Sequence, residues 1–274
     1  MKKLLFVILL FVSLTSANKL KNEIKNIVGE YEYQTHNNLI NLLFTNETQY
    51  YKNNKINYIK TLNTLKSNGL LKLGVTNSRS IDITFDIPDN PTKTIKILNS
   101  IIKSMGYYYF FTKNASYDEQ QIFKWTITLN TKTVLDPIQL VDKLERHFIY
   151  IVNIKKYPNQ NWNYRLDTTQ SFIASAKPIN PNSTTILTKP FDNYFLSIPI
   201  NTNKIKIISF DGDNWYPYIV FFDENLKPID AITNSTSTKT YTQRVPTGTK
   251  YIKLGDNYNL KNIKRGLTIK LLNN

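Results

Sequence analysis

The chain has no cysteine. Disulfides, thiolate metal sites and cysteine nucleophiles are excluded, and in an oxidising compartment stability rests on buried cores alone. Histidine is nearly absent, with His36 and His147 the two copies, and glycine is scarce at 8 residues. No G-x-S-x-G, H-E-x-x-H or phosphate-cradling glycine loop occurs. After the first residues no apolar run approaches the length of a membrane-spanning helix. These absences leave little material for a catalytic centre, and the sequence names no cofactor and no metal site.

What is present begins with an address. In MKKLLFVILLFVSLTSANKL, Lys2 and Lys3 precede the apolar run Leu4 to Val12, and Thr15-Ser16-Ala17 supplies small residues for cleavage before Asn18. The pattern predicts a signal peptide over 1–17 and a periplasmic destination in an AT-rich bacterium. The formal charge is +15. Such an excess favours anionic partners: lipid head groups, acidic glycans or an acidic protein face. An exported chain does not meet nucleic acid. The competing reading is that scattered lysines only keep the surface soluble.

Along the chain, Leu20, Ile24, Ile27 and Val28 follow helical spacing, and KINYIKTLNTLKSNG predicts a second helix that Gly69 ends. Between 70 and 167 the types alternate. Strands are expected at 70–75, 80–87, 107–113, 121–130, 149–157 and 161–167. Helices are expected at 90–106, with Pro91 in the first turn, and at 136–147, with Asp136 as N-cap. From residue 80 to 156 the order β-α-β-β-α-β is ferredoxin-like, with the strands at 70–75 and 161–167 extending the sheet. The stretch 172–190, rich in Pro, Ser, Thr and Asn, reads as a linker. From Phe191 onward the elements are short strands separated by turn residues, as in a jelly-roll-like sandwich. The expected fold is therefore α+β: a ferredoxin-like domain over 18–171 preceded by two helices, then an all-β sandwich over 191–274.

Within this second half, Pro217-Tyr218 opens an apolar strand that leads to the turn Asp223-Glu224-Asn225. A later turn, Pro246-Thr247-Gly248-Thr249, runs into Tyr251-Ile252-Lys253-Leu254-Gly255. This pattern resembles the pre-peptidase C-terminal type of β-sandwich carried by many secreted bacterial proteins. The resemblance implies an accessory module rather than an activity. With SMGYYYF and NIKRGL, the whole chain is also similar to uncharacterised exported proteins of AT-rich Gram-negative bacteria.

Three groups of residues compete for function. Trp215, Tyr216 and Tyr218 are candidates for a platform that stacks on sugar rings, with Arg244 or Asp213 binding hydroxyls; alternatively the rings fill the core. Asp211, Asp213, Asp223 and Asp230 offer oxygens to calcium, but DGDNW lacks the spacing of a calcium loop and is ordinary turn chemistry. Asp142 and Glu145 are a candidate acid–base pair; on one helical turn beside Lys143 and Arg146 they fit a solvated face better. The run GYYYFF places Tyr108 where a partner protein could dock if it is exposed. The expected function is a non-catalytic periplasmic binding or scaffold protein that contacts an envelope protein or glycan. A glycan-binding protein and a carboxylate-dependent hydrolase are the alternatives.

Overall fold

In the computed structural model, residues 19–181 and 183–272 are described, and the expected leader at 1–17 lies outside them. The fold is α+β. The chain divides into two compact units, Met1–Phe172 and Ile173–Asn274. Among the described residues no helix is long and apolar enough to cross a membrane.

The first unit opens with α1 (19–28), α2 (Glu30–Thr35) and α3 (Asn37–Leu43). A small ribbon follows, β1 (Tyr51–Lys52) paired with β2 (Lys55–Ile56), and then α4 (Tyr58–Ser67). Asn57 caps α4 by accepting the Lys60 N–H at 3.1 Å. The main sheet and its helices are β3 (Gly74–Ile87), α5 (Pro91–Ser104), β4 (Phe111–Tyr117), β5 (Phe123–Thr133), α6 (Pro137–Glu145), β6 (Tyr150–Lys156) and β7 (Trp162–Asp167). Asp136 caps α6 through the Ile138 N–H at 2.9 Å. α5 ends at Gly106, whose φ of 93° suits a residue without Cβ.

Alternation along β3 buries Ile81, Ile83, Phe85 and Ile87 on one face, with Ile97, Leu98, Ile101, Leu140 and Leu144 of α5 and α6 also in the core. Phe85 stacks on Trp125 and on Tyr164, each at 5.8 Å between ring centroids. The opposite face carries the polar positions Ser80, Asp82, Thr84 and Asp86, which stay in contact with solvent.

The sheet order is β4-β5-β3-β7-β6. Residues 161–167 thus do not extend the sheet at its margin, as the sequence pattern suggested. β7 inserts between the first strand and β6, parallel to β3 with Phe85 opposite Tyr164 and antiparallel to β6. A tight turn in which Asn159 and Gln160 both take positive φ joins β6 to β7. Two other expectations shift. Residues 70–73 are not a strand; the chain enters the sheet at Gly74 through a bulge. The strand expected at 107–113 lies at 111–117, because Asp118 sets the hairpin register. Its carboxylate accepts the Gln120 and Ile122 N–H groups, each at 2.9 Å, and brings Tyr117 opposite Phe123.

The second unit is a sandwich of two sheets. Its strands are β8 (Lys177–Pro178), β9 (Thr184–Leu187), β10 (Tyr194–Ser197), β11 (Lys204–Ser209), β12 (Pro217–Phe222), β13 (Pro228–Thr233), β14 (Thr240–Arg244), β15 (Tyr251–Asp256) and β16 (Leu267–Leu272). One sheet has the order β13-β12-β15-β10-β8, the other β14-β11-β16-β9. Leu196, Ile219, Phe221, Ile252 and Leu254 of the first share one core with Ile205, Ile207, Leu267 and Ile269 of the second. The stretch 172–190 is not a plain connector. Ile173, Ala176, Ile179 and Leu187 are buried, β8 pairs with β10 and β9 with β16. Its polar composition hides four anchoring apolar residues.

Candidate binding surfaces

The aromatic set proposed for sugars does not form one surface. Trp215 is 0% exposed. Its indole N–H donates to the Gly255 carbonyl at 2.8 Å and its ring meets Tyr241 edge-on at 6.4 Å. A side chain covered on all sides cannot stack on a ligand. Tyr216 is half-buried against Tyr258, ring to ring at 4.9 Å, and its backbone N–H is held by Asp256. Tyr218 lies on the outer face of the five-stranded sheet, with the Lys253 ammonium 5.5 Å above its ring. Arg244 is exposed on β14 of the other sheet. In β14, Tyr241 turns inward onto the core and alternation turns Arg244 outward. Tyr218 and Arg244 therefore sit on opposite outer faces of the sandwich.

The acidic residues are engaged elsewhere. Asp213 is buried and both of its oxygens bind Arg265: Nη1 at 2.7 Å and the backbone N–H at 3.0 Å. Asp223 closes its turn by accepting the Asn225 and Lys227 N–H groups. Asp211 and Asp230 are exposed. Among the described residues no group of three His, Asp or Glu side chains converges as metal ligands would. Asp142 pairs with Arg146 at 2.6 Å on the solvent side of α6. His147 Nδ1 lies 3.1 Å from the Phe172 carbonyl, and His36 meets Glu32 at 3.2 Å on a helix surface.

The GYYYFF region gives a different picture. Tyr108 is 68% exposed, Tyr109 94%, Phe111 61% and Tyr117 57%. Every residue of β4 is exposed, and β4 is one margin of its sheet. A strand margin presents unpaired N–H and C=O groups, and proteins blunt it with bulges, lysines or a covering element. β4 has a bulge between Thr112 and Asn114, and Lys113 sits in it. The Lys113 ammonium is drawn over the polar face to Asp82 at 2.5 Å and does not guard the margin. Burial works against the charge of Asp82, yet Lys113 and the Thr128 hydroxyl hold its carboxyl below the usual range. A shallow cavity of about 480 Å³ lies beside this pair, lined by Arg79, Asp82, Phe111, Lys113 and Asn161 among others.

The other margin of the sheet is partly covered, with the Val152 and Lys155 side chains still exposed. On β6, the Ile154 N–H donates to Glu23 at 2.6 Å, and the Val152 carbonyl is 2.9 Å from the Tyr58 hydroxyl. Glu23 of α1 also receives the Asn153 side-chain amide at 2.7 Å and lies 2.9 Å from the Tyr58 hydroxyl. Burial raises the Glu23 carboxyl above its ordinary value, against the pull of the Ile154, Tyr58 and Asn153 hydrogen bonds. Tyr58 is raised as well, by burial first and by Glu23 second. The single Tyr58 proton can serve only one of these two acceptors at a time. Sequence reasoning missed Glu23; a lone acid on the apolar stripe Leu20-Ile24-Ile27 was the available signal.

No protein-family model matches the chain, and no curated protein is similar to it.

Proposed function

We propose that this is a non-catalytic binding protein of the bacterial cell envelope, exported by its N-terminal leader. Its first unit would capture an extended segment of a partner protein along β4. The observation that carries this reading is the asymmetry of one sheet. α1 and α4 use Glu23 and Tyr58 to bond two backbone groups of the β6 margin, while β4 lies exposed among Tyr108, Tyr109, Phe111 and Tyr117. An added strand gains main-chain hydrogen bonds from such a margin, and aromatic side chains beside it supply contact area and selectivity.

A photo-activated crosslinker at position 109 or 111, introduced in the native cell, tests it. The expected result is one discrete protein adduct that Tyr117→Lys removes. Adducts of equal yield from the exposed helical position 31, or none from 109 and 111, would sink the reading.

A further inference from the structure

The outer face of the four-stranded sheet in the second unit is a cluster of like charges. Antiparallel pairing sets Lys204 directly opposite Arg244 and Lys206 directly opposite Lys270. Lys204 and Lys206 are two residues apart on β11 and so share that face, since Ile205 and Ile207 point into the core. Like charges directly across a sheet repel. Nothing within the sheet offsets them: β9, β11, β14 and β16 contain no acidic residue. A surface that holds four cations against their mutual repulsion is complementary to a polyanion.

The rest of the face narrows the class. Thr184, Thr240 and Thr242 are exposed beside the cations, Thr268 is half-exposed, and exposed Ile186 lies opposite Thr268. At the Arg244 end the face opens into a cavity of about 770 Å³, lined by Asn201, Asn203, Gln243, Arg244, Thr247 and Ile200 among others. Its lining has amides, hydroxyls, one guanidinium and no carboxylate. Amides and hydroxyls both donate and accept, which matches sugar hydroxyls; a guanidinium binds a carboxylate through two parallel N–H groups. A bilayer surface would use the charges but not this hydrogen-bonding set.

We propose that this face binds an acidic polysaccharide, a carboxylate-bearing glycan chain lying across Lys204, Lys206 and Lys270 with one residue in the cavity beside Arg244. This surface is separate from β4, and the proposal stands or falls apart from the protein partner proposed above.

The test measures binding of the protein to polygalacturonate, to the same polymer with its carboxyls methyl-esterified, and to phosphatidylglycerol vesicles. Polygalacturonate is expected to bind, the ester not, and added salt to weaken the binding. Replacing Lys204, Lys206, Arg244 and Lys270 by glutamine is expected to weaken it at least ~10-fold. The double variant K204Q/R244Q, whose fold is perturbed least, is expected to show an intermediate loss. A control removing the same charge elsewhere, at Lys227, Lys250, Lys261 and Lys264, is expected to bind nearly as well as the parent. Equal loss in the control, equal binding of acid and ester, or binding to vesicles alone would each overturn the proposal.

Discussion

Asp213 and Arg265 clasp two loops of the sandwich: the carboxylate is buried, and both of its oxygens are taken by one arginine, through the guanidinium at 2.7 Å and the backbone N–H at 3.0 Å. Gly212, at φ 79°, has Arg265 Nη1 3.0 Å from where a Cβ would stand. The guanidinium fills the space beside Gly212 in DGD, the turn weighed above as a calcium loop and read as turn chemistry. Asp213→Asn keeps the shape but leaves one acceptor for two Arg265 donors, so one contact is lost and the other loses its charge. It is expected to destabilise the sandwich by about 1–3 kcal/mol, read by urea unfolding. A change below the error of that measurement would show that the clasp is ornamental.

Glu23 gives the first unit a pH dependence of defined sign. Its folded carboxyl titrates above its ordinary value of 4.5. Its contribution is therefore fully present below that value and is lost as pH rises through the folded value. Glu23→Gln removes the ionisable group and with it the loss, while its amide oxygen still accepts one of the N–H groups. The variant is expected to melt higher than the parent at pH 7, with the gap closing towards pH 4. A gap that widens on acidification contradicts a carboxyl that burial has raised.

Trp215→Ala tests core against surface. Removing a fully buried indole and its bond to Gly255 is expected to cost about 3–5 kcal/mol. Tyr218→Ala, on the outer face, is expected to cost far less. Thermal unfolding of the two variants side by side decides the matter, and equal small losses would return Trp215 to the surface.

Phe111→Lys places a charge on the open margin of the first unit. Because Phe111 is exposed, stability is expected to change by no more than ~0.5 kcal/mol. Association through β4 is expected to fail all the same. A large fall in melting temperature would mean that the ring is part of the fold rather than of a docking surface.

Helices were readable because their apolar residues recur at helical spacing and their ends carry local signals: Asp136 before α6, Gly106 after α5. Strand positions depend on pairing, which local pattern does not contain. Tyr107 to Phe110 have the side chains of a strand, yet the Asp118 turn hands the pairing to Phe111–Tyr117. The same limit hid the cationic face. KIKIIS, LTIKLL and TYTQR each show one or two cations and no acid, an ordinary alternation. Lys204 meets Arg244, and Lys206 meets Lys270, only when the antiparallel register is known. Arg244 was singled out from the sequence, but beside Tyr218 rather than beside the lysines that surround it. For Trp215, alternation offered both readings, and burial chose between them.

The insertion of β7 beside β3 has a consequence for synthesis. Ile83 and Phe85 receive Trp162 and Tyr164 as neighbours only after roughly eighty further residues have emerged, and closing so long a loop is slow. Until then the nascent chain shows an unfinished seam beside Ile83 and Phe85, and any holding chaperone meets the protein in that half-zipped state.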